Sequence, residues 1–229
     1  MTPRATVVTP DAGSLVERYA AEALEFQPRA VDSLLRAVDV VLAASALVAT
    51  APVLVLCAIA VRTSGQPVLY RGERVGRFGE KFTMCKFRTL KLDAEQRLGS
   101  RLGEDLTRLT ESELTRIGVK LRRSKLDELP QLWNVIAGDM SLVGPRPIRP
   151  TFFEQLCHEI PAYWQRLVVR PGITGFAQLR LTREMTWAEK LAHDLEWVAD
   201  RSLGLYLSVL VETVWTLVTR PPRGPVGRI

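Results

Sequence analysis

Asp127 and Glu128 are adjacent carboxylates just ahead of Pro130, in the stretch LRRSKLDELPQLWNVIAGDMSLVGPRP from Leu121 to Pro147. Lys120, Arg122, Arg123 and Lys125 surround their N-terminal side. On the other side an apolar turn leads through Gly138 to the corner Gly144-Pro145-Arg146-Pro147. Nearby cations favour the ionised form of a carboxylate. An ionised carboxylate can act as a nucleophile or hold a hard cation such as Mg²⁺. The Arg and Lys side chains around it can grip phosphate oxygens. A plainer reading is the start of a helix, because proline suits a first turn and acids there complement the helix dipole. On these residues alone both readings stand.

The elements that must position this stretch begin with the apolar run from Val40 to Val61, about 22 residues without a charge. That is near the ~20 residues needed to cross a bilayer as a helix. Pro52 falls in its middle, where it removes a hydrogen bond and clashes with the preceding turn, at a cost of about 3 kcal/mol. A break there leaves segments of about 12 and about 10 residues, each near half of a hydrocarbon core. Arg29 and Arg36 precede the run, and Arg62, Arg71, Arg74 and Arg77 follow it. Basic residues mark the cytoplasmic side, and here they flank both ends. A re-entrant helix and a straight span are both open on this basis. Arg36 and Asp39 lie three apart at the mouth of the run and are expected to pair on a helix.

Downstream, Val68–Tyr70 and Lys81–Thr89 read as the strands of a β-hairpin with a wide glycine-bearing loop. Lys86 and Arg88 alternate with Phe87, which puts both cations on one face, either solvated or functional. Leu92 to Lys125 reads as mostly helical, with Leu98, Leu102, Leu106, Leu109 and Leu114 as its buried stripe. Phe152, Phe153, Leu156, Tyr163, Trp164 and Leu167 mark one or two helices with an aromatic face, mostly core. Arg170-Pro171-Gly172-Ile173-Thr174-Gly175 reads as a rigid loop, with a strand over Phe176–Leu181. Helices are expected over Thr182–Asp200 and Ser202–Thr219, the second packing on the core or a membrane.

The chain has 229 residues, 47% hydrophobic and 24% charged, so a packed core is expected. The formal net charge of +6 favours anionic partners. No RNP-like aromatic pattern, Cys/His finger or basic zipper is present, which argues against nucleic acid. Cys57, Cys85 and Cys157 are too widely spaced for a disulfide framework or a zinc site. There is no HExxH, GxSxG, Walker A or internal repeat.

Several ordered blocks together resemble the bacterial sugar transferases, the monotopic phosphoglycosyl transferases. They are Arg36-x-x-Asp39 before an apolar run containing Pro52, ERVGRFGEKF, KFRTL, LDELPQLWNVIAGDMSLVGPRP and RPGITGFAQL. The blocks cover roughly residues 36 to 200, and the length matches a short form of the family. The resemblance implies an α+β, mostly helical fold. Residues 1–30 would be a mobile lead-in and 31–62 a re-entrant, proline-broken membrane helix. Residues 63–220 would be a cytosolic catalytic domain with a small hairpin, and 221–229 a loose tail. It places the protein at the bacterial cytoplasmic membrane, with the catalytic domain inside.

The implied reaction moves a sugar 1-phosphate from a nucleotide diphosphate sugar, normally a UDP-sugar, to a polyprenyl phosphate, releasing UMP. Asp127 matches the nucleophile that forms a covalent phosphosugar intermediate, and Glu128, with Asp127, the holder of Mg²⁺. Lys86, Arg122 and Arg146 match basic residues around the phosphates, and Arg88 is added to them by the alternation of its strand alone. Pro145, Pro147, Arg170, Gly172 and Thr174 match the substrate loops, and Arg36, Asp39 and Pro52 the membrane anchor. Partners would be the nucleotide sugar, the polyprenyl phosphate and membrane lipid, with no nucleic acid. The oligomeric state is open, a dimer included. The sequence departs from the family where Lys125 replaces a serine, Ala51 replaces the serine before the break, and Tyr206 replaces a late aspartate. The competing reading is a non-enzymatic, membrane-anchored module whose basic face binds anionic lipid.

Overall fold

The structure, a computed structural model, describes residues 29–65, 67–98, 103–180 and 185–219. Residues 1–28 of the expected lead-in and the tail of residues 221–229 lie outside the described residues.

Helix α1, Ala30–Thr63, runs through Pro52 as one continuous element. The expected break into two segments is therefore not present. Proline itself adopts a helical φ, and its cost is one lost backbone hydrogen bond, that of the Val48 carbonyl. The Thr50 hydroxyl donates to the Ala46 carbonyl at 2.7 Å, two residues away from that vacancy. Packing holds the helix together on both sides of the proline. Leu35, Ala43, Cys57 and Val61 are buried, and Ala46, Leu47, Leu54 and Ala58 extend the same stripe. Val48, Val53, Val55, Leu56 and Ile59 are exposed. Both ends of α1 thus rest on the same body of protein, with apolar side chains left uncovered between them.

Strands β1, Leu69–Val75, and β2, Lys81–Phe87, form the antiparallel hairpin, with Tyr70 opposite Lys86 and Val75 opposite Lys81. The first strand is longer than the expected Val68–Tyr70 and the loop correspondingly tighter, closed by the Gly76 N–H on the Glu80 carbonyl at 2.7 Å. The charged segment that follows is mostly helical, as expected, and among the described residues it comprises α2 Ala94–Leu98, α3 Gly103–Ser112 and α4 Arg116–Ser124. A bridge between Leu90 and Leu114 folds it back on itself. Thr115 then caps α4, accepting from the Gly118 N–H at 2.9 Å. Of the expected stripe Leu98 is buried and Leu109 is exposed, while Leu102 and the Leu106 side chain lie outside the described residues.

After a 3-10 turn over Leu126–Glu128 comes α5, Gln131–Ala137. A second sheet pairs β3, Ser141–Val143, in parallel with β4, Gly172–Thr174. The expected rigid loop is therefore partly a strand, and the expected strand after it is a short helix, α7, Phe176–Arg180. Glycine makes this sheet possible. A Cβ on Gly172 would collide with the Gly144 backbone, and one on Gly144 with the Arg170 carbonyl. Between the two strands lie α6, Pro150–Glu159, and a 3-10 helix over Pro161–Val168.

Helix α8, Trp187–Asp200, starts at a capping box between Thr186 and Glu189. Helix α9, Leu203–Thr219, ends the described chain. One core cluster gathers Leu156, Tyr163, Leu191, Leu195 and Val198. Another joins α1 to α9 through Leu35, Val143, Phe176, Trp197, Tyr206 and Val209. Of the expected aromatic face, Phe152 and Tyr163 are core and Trp164 is exposed.

Candidate active site

The acid pair sits in its own 3-10 turn between α4 and α5, ahead of the helix rather than in its first turn. Lys125 ends α4 in the left-handed region at φ 59°, which redirects the chain into that turn. Its carbonyl accepts from the Glu128 N–H at 3.2 Å. Helix α5 is held at its far end by two arginines. Arg36 donates to the Val135 and Ile136 carbonyls at 2.5 and 2.9 Å, and Arg170 donates to the Gly138 carbonyl at 2.8 Å. Cations there complement the negative end of the helix dipole.

Asn134 fixes α5 against the hairpin. Its side-chain oxygen accepts from the Cys85 N–H at 3.0 Å, and its amide donates to the Thr83 carbonyl at 2.8 Å. The next residue along β2 is Lys86, whose Nζ meets Glu128 Oε1 at 2.9 Å. The sequence reading did not single out Asn134. The available signal was an amide residue inside an apolar helix, where it must find partners.

Arg146 reaches the same Glu128 oxygen at 3.6 Å. Arg122 is oriented by its Nε donating to the Thr89 hydroxyl at 3.0 Å. Burial opposes ionisation of Glu128, but Lys86, Arg146 and Lys125 outweigh it and hold its carboxyl well below the usual range. Asp127 behaves oppositely. It is 5% exposed, and its Oδ1 is buried without a hydrogen-bond partner among the described residues. Burial and then the Glu128 charge raise its carboxyl, against the pull of Lys86, Arg122 and Lys125. Two adjacent carboxylates are thus driven apart: Glu128 is neutralised by cations, and Asp127 is a partly desolvated, basic oxygen. Among the described residues there is no group of three or more His, Cys, Asp or Glu that could hold a metal ion.

Lys86, Arg122 and Arg146 therefore converge on Asp127 and Glu128, joined by Lys125. Arg88 follows the end of β2, with its N–H still paired to the Val68 carbonyl at 3.0 Å and its Nε buried without a hydrogen-bond partner among the described residues. The Arg88 side chain turns to the Leu69 carbonyl at 3.4 Å. Pro145 lends its carbonyl to the Gly172 N–H at 2.8 Å, and Pro147 closes the corner. Gly172 and Thr174 belong to β4, and Thr174 hydrogen-bonds Thr213 on α9 at 2.8 Å. Arg36 and Asp39 do not bond each other. Asp39 Oδ1 instead accepts from the Ser141 hydroxyl, the Leu142 N–H and the Tyr206 hydroxyl.

The bacterial sugar transferase family model matches residues 31–220. The chain is 37% identical, over 67% of its length and 36% of the relative's, to a UDP-N-acetylgalactosamine-undecaprenyl-phosphate N-acetylgalactosaminephosphotransferase of Aeromonas hydrophila. It is 38% identical, over 72% of its length and 62% of the relative's, to a UDP-glucose:undecaprenyl-phosphate glucose-1-phosphate transferase of Caulobacter vibrioides. A putative undecaprenyl-phosphate N-acetylgalactosaminyl 1-phosphate transferase of Bacillus subtilis is 46% identical over 48% of this chain and 58% of its own length. The chain therefore spans about a third to three fifths of these relatives.

Proposed function

Because the chain belongs to the bacterial sugar transferase family, we propose that it moves a sugar 1-phosphate from a UDP-sugar to a polyprenyl phosphate. The reading is supported most by the buried Asp127–Glu128 pair, with Lys86, Arg122, Lys125 and Arg146 around it. The relatives are named for UDP-linked sugars and undecaprenyl phosphate, which supports the donor and acceptor classes.

In this mechanism an Asp127 oxygen attacks the phosphorus that carries the sugar. The bond from that phosphorus to the bridging oxygen breaks, and UMP leaves with the electron pair. The sugar phosphate is now an acyl phosphate on Asp127. A polyprenyl phosphate oxygen then attacks the same phosphorus and expels the Asp127 carboxylate, giving the polyprenyl diphosphate sugar. Splitting the transfer in two lets one protein oxygen serve both displacements. Bringing an anionic nucleophile to an anionic diphosphate is opposed by charge, and the fixed cations offset that repulsion. Burial strips water from Asp127, which makes its oxygen more basic.

Mg²⁺ fits these residues as a shared rather than a caged ion. It is commonly held by one or two carboxylates with substrate phosphates and waters. The unpartnered Asp127 Oδ1 and the Glu128 carboxylate are the protein oxygens that would hold it. When bound it would draw charge from the phosphoryl oxygens and the leaving UMP.

The same reading places the domain on the cytoplasmic face of the bacterial inner membrane, with α1 entering the bilayer and returning. It is supported by the packing of both ends of α1 on the domain and by the exposed apolar residues between. Pro52 would then serve as a bend within a continuous helix. Purified protein, UDP-sugars and undecaprenyl phosphate test the activity through UMP release. Release that depends on Asp127 is expected. An Asp127→Asn protein as active as wild type would point instead to another nucleophile, and a wild-type protein that releases no UMP to a lipid-binding module.

A further inference from the structure

The Arg146 corner is flanked by two prolines, which have no N–H to tie it down. Its carbonyls do that work. The Pro145 carbonyl is held by the Gly172 N–H. The Arg146 carbonyl accepts from the Arg166 guanidinium at 2.9 Å. Arg166 is 3% exposed and lies in the 3-10 helix over Pro161–Val168. Its Nε and NH2 also meet Asp194 Oδ2 on α8, at 2.8 and 2.7 Å. Its guanidinium lies 5.0 Å from the centre of the Tyr163 ring. Arg166 is thus held by a carboxylate and an aromatic face, and the NH2 nitrogen that meets Asp194 also donates to the backbone of a residue in the phosphate cluster.

A buried ion pair of this kind is not required for stability, since apolar replacements of similar volume commonly fold as well. It does fix direction. Arg146 carries its own guanidinium towards Glu128 at 3.6 Å, and its backbone orientation decides where that fork points. We propose that Arg166 and Asp194 are positioning residues for the transfer, acting through the Arg146 carbonyl to aim the Arg146 guanidinium at the phosphates. The inference rests on the proposed sugar-phosphate transfer. Neither residue touches the substrate; each acts through the next, from Asp194 to Arg166 to Arg146.

A double-mutant cycle on the full chain tests this, read by UMP release with thermal melting alongside. Arg166→Lys keeps a charge for Asp194 but cannot fill both sides of the guanidinium plane. It is expected to lower kcat by roughly 10–100-fold, the scale of a 1 Å misplacement, with little change in KM for the UDP-sugar. In an Arg146→Ala background the same change should cost less than about twofold, because the group being aimed is gone. The apolar pair Arg166→Met with Asp194→Leu should melt near wild type and show the same loss and the same non-additivity. Wild-type kcat in Arg166→Lys would overturn the proposal, as would a loss that multiplies fully with Arg146→Ala. Failure of both variants to fold would assign the pair to folding and overturn it too. A wild-type protein that releases no UMP from any UDP-sugar would overturn the parent reading, and this inference with it.

Discussion

Tyr206 donates its hydroxyl to Asp39 Oδ1 at 2.7 Å, tying the last helix to the base of the first. The same oxygen receives the Ser141 hydroxyl at 2.9 Å and the Leu142 N–H at 2.8 Å. One buried carboxylate therefore joins α1, β3 and α9, and β3 leads directly into the Arg146 corner. Where the resemblance implies an aspartate, the Tyr206 phenol thus supplies a donor to this carboxylate.

Tyr206→Phe removes that donor and leaves the ring in place. It is expected to destabilise the fold by about 1–3 kcal/mol, the cost of leaving a buried acceptor short of a partner. Urea denaturation of the two proteins measures this. Equal midpoints would show that Asp39 is satisfied without Tyr206.

Gly172→Ala puts a methyl group against the Gly144 backbone, where neither strand can yield cheaply. A loss of roughly 1–3 kcal/mol is expected from this overpacking. Activity should fall further than stability explains, because the strand carrying the corner moves. Thermal melting and UMP release on the same preparation separate the two effects.

The cations around the acid pair should not be equal. Lys86→Ala and Arg146→Ala are each expected to cost roughly 10²-fold in kcat, the scale of a lost transition-state donor. Arg88→Ala should cost less than tenfold, because its side chain is turned to the Leu69 carbonyl. Arg146→Lys should be impaired despite keeping its charge, since lysine lacks the planar fork. Kinetics of the four variants with one UDP-sugar would check the ranking.

Burial of the Asp127 carboxyl should cost stability at neutral pH. Its folded-state carboxyl is raised, first by burial and then by Glu128. A raised acid contributes its stability below its unfolded value, and that contribution is lost as pH rises through the folded one. At neutral pH the ionised group is therefore a net burden, so Asp127→Asn should melt higher than wild type in metal-free buffer while losing turnover. Glu128 has the opposite sign. Its lowered carboxyl contributes stability above the unfolded value, lost only as pH falls through the folded one, so Glu128→Gln should melt lower at neutral pH. Calorimetry at pH 7 with a chelator reads both.

Arg29→Cys and Thr63→Cys place probes at the two ends of α1, in a background lacking Cys57, Cys85 and Cys157. Both should be shielded from an impermeant maleimide in intact cells and react in inverted vesicles. Labelling of the Arg29→Cys probe from outside would mean that α1 crosses the membrane.

Much of the site was legible because its chemistry is local in sequence. Asp127, Glu128, Arg122 and Lys125 fall within a few residues, and a period of two puts Lys86 on the face that meets Glu128. Arg88 bonds the Leu69 carbonyl of the neighbouring strand, a contact that alternation alone does not mark. The β3–β4 sheet was missed for a related reason: each strand has three residues, and the close glycine contact that joins them is non-local. Pro52 marks a weak point in α1, yet the packing on either side that keeps the helix continuous is tertiary and leaves no local trace. The Asp39–Tyr206 bond spans most of the chain, and only the structure brings its two residues together.

The central claim is that the Asp127 oxygen becomes bonded to phosphorus. The direct measurement is intact-protein and peptide mass spectrometry after mixing the enzyme with its UDP-sugar and no polyprenyl phosphate, with UMP quantified alongside. The account predicts about one UMP per protein and a sugar-phosphate mass on the peptide containing Asp127. Both should be lost in Asp127→Asn, and the adduct should be discharged when polyprenyl phosphate is added. UMP release that occurs only with polyprenyl phosphate present, with no adduct at any time, would contradict it and indicate a direct transfer between the two substrates.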